Sequence, residues 1–297
     1  TGLYGLESRY DKYLQGQTGL VVTAKDERGN PLPYEYEQYF AAENGQDLVL
    51  TLDANVQYYL EKYVGEMADK YGAEHGATGI VMDVKTGGIL GMVSYPTYDV
   101  NDAFTVQNDL FKKNLTDTSD QLLKQWRNKA LNDTYEPGST FKSITLASAL
   151  EEGAVSLSDS FYCGGSTTIK GRTKALHCWR AAGHGQQSTA EALQNSCNVA
   201  FANIGIRLGG EKLYEYVHKF GLTEKTGIEL GGEASGIFFD EATLANPQSY
   251  ASLTSAAFGQ TFKITPLQLV RAVAAVVNGG YVLEPHIVHE ILSPEGQ

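Results

Sequence analysis

The chain has 297 residues, of which 35 are acidic and 23 are basic, so its formal net charge is 23 − 35 = −12. With 42% hydrophobic residues, it has enough apolar material for a sizeable core, which excludes an intrinsically disordered chain. The acidic excess argues against a nucleic-acid partner, because phosphate backbones recruit clusters of Lys and Arg. The most apolar run, residues 264–277, is interrupted by Gln268 and Arg271, so neither a bilayer-spanning segment nor a signal peptide is predicted.

The first 45 residues are polar and rich in turn residues, with short apolar alternations such as Leu20-Val21-Val22. This pattern predicts extended or hairpin structure, with turns at Gly29-Asn30 and Pro31-Leu32-Pro33. The apolar residues 48–50 that come next predict a buried strand.

Asp53 is suited to cap the N-terminus of a helix. Apolar residues recur after it with helical spacing as far as Tyr71, which predicts an amphipathic helix of roughly five turns. Two apolar runs, 77–84 and 89–94, flank Lys85-Thr86-Gly87-Gly88 and predict an antiparallel hairpin. A strand, a helix and a hairpin in this order predict an α+β domain with an antiparallel sheet flanked by helices.

The remainder of the chain is predicted to be mainly helical after a polar stretch. Residues 100–130 lack clear periodicity, which predicts a loop-like region. The predicted helices then cover 139–152, 188–195, 198–208, 211–220 and 265–277, and a strand is predicted over 281–292.

The sharpest chemical feature is the segment Tyr135-Glu136-Pro137-Gly138-Ser139-Thr140-Phe141-Lys142. A helix is predicted to begin at or near Ser139, and residues three apart on a helix share a face, so Ser139 and Lys142 present their side chains together. A serine hydroxyl is a weak nucleophile without an adjacent base. A partly desolvated lysine can lose its charge and accept the serine proton. The alternative is an ordinary helix cap with an exposed lysine.

A second segment, Asn195-Ser196-Cys197-Asn198, follows Ser139 between two predicted helices. In extended geometry Ser196 and Asn198 point the same way and offer one hydroxyl and one amide. The hydroxyl is suited to relay a proton, and the amide is suited to hold a peptide carbonyl. A simple helix cap is the alternative here too.

In this order and spacing the two segments resemble the class B, monofunctional penicillin-binding proteins, the serine D,D-transpeptidases that cross-link peptidoglycan. Further stretches carry the same resemblance along nearly the whole chain. They are residues 45–53, Tyr95-Pro96-Thr97-Tyr98-Asp99, Thr226-Gly227-Ile228-Glu229-Leu230, Phe258-Gly259-Gln260 and residues 264–268, together with residues 5–19, which look like the end of the family's N-terminal pedestal.

The resemblance implies the penicillin-binding protein and serine β-lactamase-like transpeptidase fold. Residues 1–45 would be a remnant of the non-catalytic pedestal, and residues 46–297 a transpeptidase domain that is incomplete at its C-terminus. Ser139 would attack the penultimate D-Ala of a stem peptide and would also be acylated by β-lactams. Lys142 would activate Ser139, Ser196 would relay a proton to the leaving amine, and Asn198 would bind substrate. This chemistry requires no cofactor.

The family's third motif, Lys-Thr-Gly or Lys-Ser-Gly, has two literal matches in the sequence. Lys85-Thr86-Gly87 precedes the nucleophile, and Lys225-Thr226-Gly227 follows Ser196 too closely, so neither fits the family order. The motif is therefore expected beyond Gln297. The resemblance implies that the strand with this motif supplies one N–H donor of the oxyanion hole. A chain that ended at Gln297 would therefore acylate weakly or not at all, because loss of one such donor costs roughly 10²–10³ in rate.

Three cysteines leave a question about metal. Cys163, Cys178 and His184, with His177 beside Cys178, fall in one segment between the two motifs and offer four candidate zinc ligands. A Cys163–Cys178 disulfide is the main rival, since the family works outside the cytoplasm. Free thiols, with Cys197 buried behind the second motif, remain a third interpretation.

The resemblance also implies partners and a location. The parent protein would be anchored by an N-terminal helix absent from this sequence, with its catalytic part on the extracytoplasmic face of the bacterial membrane. A membrane-embedded glycosyltransferase and cell-wall assembly proteins would be its partners. Two rival functions remain: a β-lactamase or β-lactam sensor of the same fold, and a non-catalytic scaffold for cell-wall synthesis complexes.

Overall fold

The computed structural model describes residues 2–23, 27–28 and 37–294 of the chain. The turns predicted at Gly29-Asn30 and Pro31-Leu32-Pro33 lie outside the described residues. Contacts divide the chain into two compact units. The first contains Thr1–Thr51, Glu229–Gly231 and His286–Gln297, and the second contains Leu52–Ile228 and Gly232–Pro285.

Helices and antiparallel strand pairs both contribute to the fold. The helices are α1 (Gly5–Arg9), α2 (Asp11–Leu14), α3 (Ala54–Lys70), α4 (Asp109–Lys112), α5 (Thr118–Gln125), α6 (Lys129–Asn132), α7 (Lys142–Glu151), α8 (Thr189–Gln194), α9 (Asn198–Leu208), α10 (Gly210–Lys219), α11 (Glu241–Leu244), α12 (Ala251–Ala257) and α13 (Pro266–Val277). The strands are β1 (Leu20–Thr23), β2 (Glu37–Phe40), β3 (Asp47–Leu50), β4 (Ala77–Met82), β5 (Ile89–Tyr95), β6 (Ser160–Cys163), β7 (Ser166–Thr167), β8 (Leu176–His177), β9 (Gly185–Ser188) and β10 (Val288–Leu292).

The first unit contains two antiparallel strand pairs. In β1–β2, Leu20 lies opposite Phe40, which confirms the hairpin predicted near the N-terminus. Strand β3 pairs with β10, so the predicted strand near the end of the chain is confirmed only over its last five residues. Helices α1 and α2 were not predicted, because one helical turn is too short to show a hydrophobic period.

In the second unit, helix α3 lies against the β4–β5 hairpin. The Asp53 carboxylate accepts hydrogen bonds from the backbone N–H groups of Asn55 and Val56, so the predicted cap is confirmed. Strands β4 and β5 pair antiparallel, and their turn is closed by hydrogen bonds between Asp83 and both Gly87 and Gly88. The predicted hairpin is therefore confirmed as well.

The prediction of a loop over residues 100–130 is wrong in detail. Helices α4, α5 and α6 lie there, and each begins at a polar side chain that accepts a backbone hydrogen bond: Asn108, Asp117 and Asn128. The buried Gln125 amide also donates to the carbonyl oxygens of Ala103 and Thr105. Caps and buried side-chain hydrogen bonds stabilise these short helices, and neither produces an apolar period.

The core that supports the motifs is formed mainly by α7, α9 and α12. Helix α9 packs against both other helices, and a Cβ atom added to Gly205 of α9 would lie 2.5 Å from the Ala257 side chain. The predicted helices that contain α7, α8, α9, α10 and α13 are confirmed. Within the described ranges, no helix is both long and apolar enough to cross a membrane.

Candidate active site

Ser139 lies in a single 3₁₀ turn, Gly138–Phe141, and helix α7 begins directly after it at Lys142. Residues three apart eclipse each other in a 3₁₀ turn, which brings the side chains of Ser139 and Lys142 together. Phe141 holds the turn in place, because its ring is completely buried and packs edge-on against Phe262 at a centroid distance of 4.9 Å.

The turn is also held by the segment that contains residues 259–264. The Gly138 N–H donates to the Gly259 carbonyl oxygen at 2.8 Å, and Tyr135 and Ile264 exchange two backbone hydrogen bonds of 3.0 Å. The Glu136 carboxylate accepts a hydrogen bond from the Thr261 N–H. Gly259 has φ +83°, and a Cβ atom there would lie 2.0 Å from the Gly138 carbonyl oxygen. The approach therefore requires glycine.

Lys142 is the centre of the site. Its side chain has no exposed surface, and its Nζ lies 3.1 Å from Ser139 Oγ, 2.9 Å from Ser196 Oγ and 2.8 Å from Asn198 Oδ1. The Ser196 carbonyl oxygen is a fourth neighbour, 2.8 Å from Nζ. An ammonium has three N–H donors, so these four oxygens compete for them, and a neutral amine could instead accept the Ser139 hydroxyl proton.

Burial lowers the pKa of Lys142 to about 8, although the nearby Cys178 and Cys197 thiols act to raise it. Within the described part of the chain, the amine contacts hydroxyl, amide and carbonyl oxygens rather than a carboxylate, so no direct ion pair restores the usual pKa. With this pKa, about a tenth of the molecules carry a neutral Lys142 amine at pH 7, far more than at the ordinary lysine pKa.

The second motif forms a tight turn between α8 and α9. The prediction of extended geometry is wrong, because Ser196 has φ +50° and its N–H donates to the Leu193 carbonyl oxygen. Cys197 caps α9 by accepting a hydrogen bond from the Ala200 N–H. The side chains of Ser196 and Asn198 nevertheless converge on one group, because both contact the Lys142 amine.

Four sulfur and nitrogen ligands lie together behind this turn. One ligand atom from each of Cys163, Cys178, His184 and Cys197 lies within 4.8 Å of the others. The Cys178 and Cys197 sulfurs are 4.0 Å apart, and Cys178 Sγ is 3.7 Å from His184 Nδ1. Tetrahedral zinc with Zn–S near 2.3 Å and Zn–N near 2.0 Å requires separations of roughly 3.6–3.8 Å, so the two shorter separations approach this geometry, and the atoms that lie up to 4.8 Å apart would have to move closer to bind zinc.

The fourth ligand atom of the cluster comes from Cys197 rather than from His177, the other candidate in the sequence. His177 is exposed on β8, between the buried Leu176 and Cys178, and its carbonyl oxygen accepts a hydrogen bond from Asn198 Nδ2. Alternation along a strand turns neighbouring side chains to opposite faces, and this signal was available in the sequence. The three cysteines, all in the described part of the chain, are free thiols, so the Cys163–Cys178 disulfide is not formed.

Burial and hydrogen bonding shift the pKa values of the cluster residues in different directions. Burial raises the pKa of the Cys197 thiol to about 12. Burial also acts to raise the pKa of Cys178, but hydrogen bonds from the Arg180 and Asn198 backbone outweigh it and lower that pKa. Burial lowers the pKa of His184, with the Arg180 and Lys142 charges acting in the same direction. A thiolate and a neutral imidazole are the forms that bind zinc.

The two literal Lys-Thr-Gly matches lie in turns and loops. Lys85-Thr86-Gly87 forms the turn of the β4–β5 hairpin, as predicted. Lys225-Thr226-Gly227 lies in a loop after α10, where the buried Thr226 donates its N–H to the Glu233 carboxylate. Neither match lies on a strand, which is where the family resemblance places the third motif.

The chain belongs to the family described as "Penicillin binding protein transpeptidase domain", whose model matches residues 77–295. It is 40% identical to stage V sporulation protein D of Bacillus subtilis over 99% of this chain and 42% of that protein. It is 30% identical to penicillin-binding protein PbpB of Mycobacterium tuberculosis, over 99% of this chain and 40% of that protein. The chain thus spans about two-fifths of the length of these relatives.

Solved structures confirm the predicted fold class. The structure of penicillin-binding protein 3 of Mycobacterium tuberculosis aligns with this chain at a TM-score of 0.77 and 28% sequence identity. The alignment covers 100% of this chain and 58% of that protein's chain. A chain from a structure described as a peptidoglycan synthase complex that coordinates polymerization and crosslinking also aligns at a TM-score of 0.77, with 27% sequence identity. This alignment covers 96% of the present chain and 51% of the other. The chain therefore has the mixed helix and sheet fold of these transpeptidases.

Proposed function

We propose that this chain is the D,D-transpeptidase part of an enzyme that cross-links peptidoglycan stem peptides and is acylated by β-lactams. The observation that carries the proposal is the placement of Ser139 Oγ 3.1 Å from the buried Lys142 amine, which Ser196 and Asn198 also contact. The names of two relatives support the activity: the Escherichia coli protein MrdA is named a peptidoglycan D,D-transpeptidase, and a structure of the Mycobacterium tuberculosis protein is described as complexed with ampicillin.

The reaction follows from these positions. Ser139 Oγ attacks the carbonyl carbon of the penultimate D-Ala while the neutral Lys142 amine accepts the hydroxyl proton. The peptide C–N bond then breaks, and terminal D-Ala leaves with a proton relayed through Ser196. An amine from a second stem attacks the resulting ester, which forms the new peptide bond and releases Ser139. Asn198 holds the backbone of the acyl donor through its amide.

The pH dependence of acylation follows from the lowered pKa of Lys142. Only the neutral amine acts as a base, so the second-order acylation rate constant is expected to rise with pH and level off above about 8. Below that pH the rate constant is expected to fall about tenfold per pH unit. Stopped-flow measurements with a fluorescent penicillin give this profile. A profile that keeps rising to the ordinary lysine pKa would contradict the role of burial.

The cysteine and histidine cluster supports a further part of the proposal, a structural zinc ion held by Cys163, Cys178, His184 and Cys197. Bound zinc would supply no reaction chemistry here. It would join β6, the residue directly after β8 and the turn on which Cys197 separates Ser196 from Asn198, and so hold those two side chains in place.

The zinc proposal predicts a change in both metal content and stability. The purified protein is expected to contain one zinc ion per chain, and Cys163→Ser is expected to lower both the zinc content and the Tm. His177→Ala is the matched control, because His177 lies beside the cluster but faces away from it, and it is expected to retain zinc. Elemental analysis that finds no stoichiometric zinc, or a Tm unaffected by chelation, would contradict the proposal.

We also propose the domain boundaries and cellular setting that the family resemblance implies. Residues 1–45 would end a pedestal, and residues 46–297 would belong to the transpeptidase domain. The parent would act on the extracytoplasmic face of the membrane, anchored by an N-terminal helix, beside a membrane-embedded glycosyltransferase and other cell-wall assembly proteins. The similarity to a structure from a peptidoglycan synthase complex supports this setting.

Release of D-Ala tests the proposed activity. Full-length protein incubated with a synthetic stem pentapeptide ending in D-Ala-D-Ala and an acceptor amine is expected to release D-Ala and form the cross-linked product. Ser139→Ala is expected to release none. Ser143→Ala changes a half-buried serine near the start of α7, whose hydroxyl donates to the Thr140 carbonyl oxygen, and it is expected to behave like the wild type. Equal release by the Ser139→Ala variant would overturn the proposal.

A further inference from the structure

Residues 160–188 form a small module of strands whose four charged side chains are all basic. Strand β6 pairs with β9, so the two ends of this basic module lie side by side, and the β7–β8 hairpin lies between them in the chain. The module has no Asp or Glu, whereas the rest of the chain has 23 − 4 = 19 basic and 35 acidic side chains. The four basic residues are Lys170, Arg172, Lys174 and Arg180.

The basic side chains of the module are not neutralised by contact with carboxylates. Among the described residues, none of the four forms an ion pair. Lys170 and Arg172 donate hydrogen bonds to a carbonyl and a hydroxyl oxygen, at 2.6 and 3.0 Å. Lys174 and Arg180 are exposed. The module therefore offers positive charge to solvent on a protein that is otherwise acidic.

The basic module borders the candidate active site. Asn198 Nδ2 donates to the carbonyl oxygen of His177, and Trp179 Nε1 donates to the carbonyl oxygen of Asn195. These two hydrogen bonds join the module to the turn whose side chains contact the Lys142 amine. A partner that binds the module is therefore brought to this turn.

The basic residues are distributed over the module rather than gathered at one point. Lys174 lies in the loop between β7 and β8, and Arg180 lies beyond β8. Arg180 is near His184, because its charge acts together with that of Lys142 and with burial, the main cause, to lower the pKa of the His184 ring. Charges spread in this way suit an extended anion with several negative groups better than a small one.

Exposed charges attract such an anion without holding it tightly. Each contact between exposed groups contributes little, and salt screens charges beyond about 10 Å, so useful affinity requires several contacts at once. A patch of one sign also raises the local concentration of an oppositely charged substrate. Peptidoglycan, the substrate class of the proposed function, meets this requirement, because its stem peptides repeat along the glycan and carry carboxylates.

We propose that the basic module binds the carboxylates of successive stem peptides on a peptidoglycan strand and so guides the strand to the candidate active site. This inference rests on the proposed function and adds a docking surface for the polymeric substrate. The module takes no part in proton transfer. A penicillin has one carboxylate and does not span the module, so its reaction with Ser139 does not depend on these charges.

Binding of soluble, uncross-linked peptidoglycan strands tests the proposal. The full-length protein carries Ser139→Ala, so that no strand is consumed. Adding Lys174→Gln and Arg180→Gln together is expected to raise the Kd about threefold to tenfold and to make binding less sensitive to salt. Lys62→Gln with Lys70→Gln is the matched control, because both lysines are exposed on α3 and the net charge changes equally. The control pair is expected to leave the Kd unchanged.

Two results of this binding measurement would overturn the proposal. An unchanged Kd in the Lys174→Gln and Arg180→Gln protein would show that the module does not contact the strand. Equal weakening by the control pair on α3 would show that only the net charge matters. Vesicles that contain phosphatidylglycerol test the other anionic partner. Binding to vesicles but not to strands, lost with the same two side chains, would assign the module to a membrane surface and overturn the proposal as well.

Acylation by benzylpenicillin separates docking from a structural role of the module. In the protein that retains Ser139, Lys174→Gln with Arg180→Gln is expected to change the acylation rate constant by less than about twofold. If acylation and strand binding fell by the same factor, the module would only support the site, and the proposal would be overturned. If the wild type failed to acylate while the Ser139→Ala protein bound strands through Lys174 and Arg180, only the proposed nucleophile would be overturned.

Discussion

Replacing Lys142 by methionine is expected to slow acylation by about 10³-fold while the chain remains folded. Methionine has a similar length and fills the same buried space, but it cannot accept the Ser139 proton. The substitution also leaves the oxygens of Ser139, Ser196 and Asn198 without the amine that they contact. The measurement is the second-order rate constant with a fluorescent penicillin, together with thermal unfolding of the same sample.

Two other lysines provide matched controls for that result. Lys85 and Lys225 each begin a literal Lys-Thr-Gly sequence, but they lie in a hairpin turn and a loop. Lys85→Met and Lys225→Met are expected to acylate at the wild-type rate. If Lys225→Met instead abolished acylation and Lys142→Met did not, the assignment of the base would be wrong.

Replacing Gly259 by alanine is expected to reduce acylation by about 10²-fold and to lower the Tm. An alanine at φ +83° is strained, and its Cβ atom would lie 2.0 Å from the Gly138 carbonyl oxygen. The nucleophile turn must then move away, which separates Ser139 from Lys142. The measurements are the acylation rate constant and thermal unfolding.

Gly153→Ala controls for the conformational strain alone. Gly153 has φ +62°, close to that of Gly259, but no atom lies within 4 Å of the Cβ position. This variant is expected to lose about 1 kcal/mol of stability and to keep the wild-type acylation rate. If both variants lost activity equally, general destabilisation would explain the effect, and the contact between Gly259 and the nucleophile turn would have no special role.

The sequence predicted the site best where chemistry depends on neighbours along the chain. Ser139 and Lys142 are three residues apart, so any helical turn there brings them together, and it made no difference that the first turn is 3₁₀ rather than α-helical. The hairpin and the long helix α3 were predicted for the same reason, because their patterns are local.

Features that depend on tertiary contacts were harder to predict. The left-handed conformation of Ser196 arises where α8 ends and α9 begins three residues later. The prediction of an extended segment took no account of this short connection between two packed helices. Cys197 joins the ligand cluster from this turn, whereas Cys163 lies on β6 and Cys178 directly follows β8. No spacing rule connects ligands from three separate elements, although alternation along β8 would have excluded His177.

The central claim is that Ser139 is the nucleophile, and peptide mass spectrometry after incubation of the full-length protein with benzylpenicillin tests it most directly. The account predicts one penicilloyl adduct per chain, on the peptide that contains Ser139, and no adduct in the Ser139→Ala variant. An adduct that persists in Ser139→Ala, an adduct on another residue, or no adduct on the wild-type protein would contradict it.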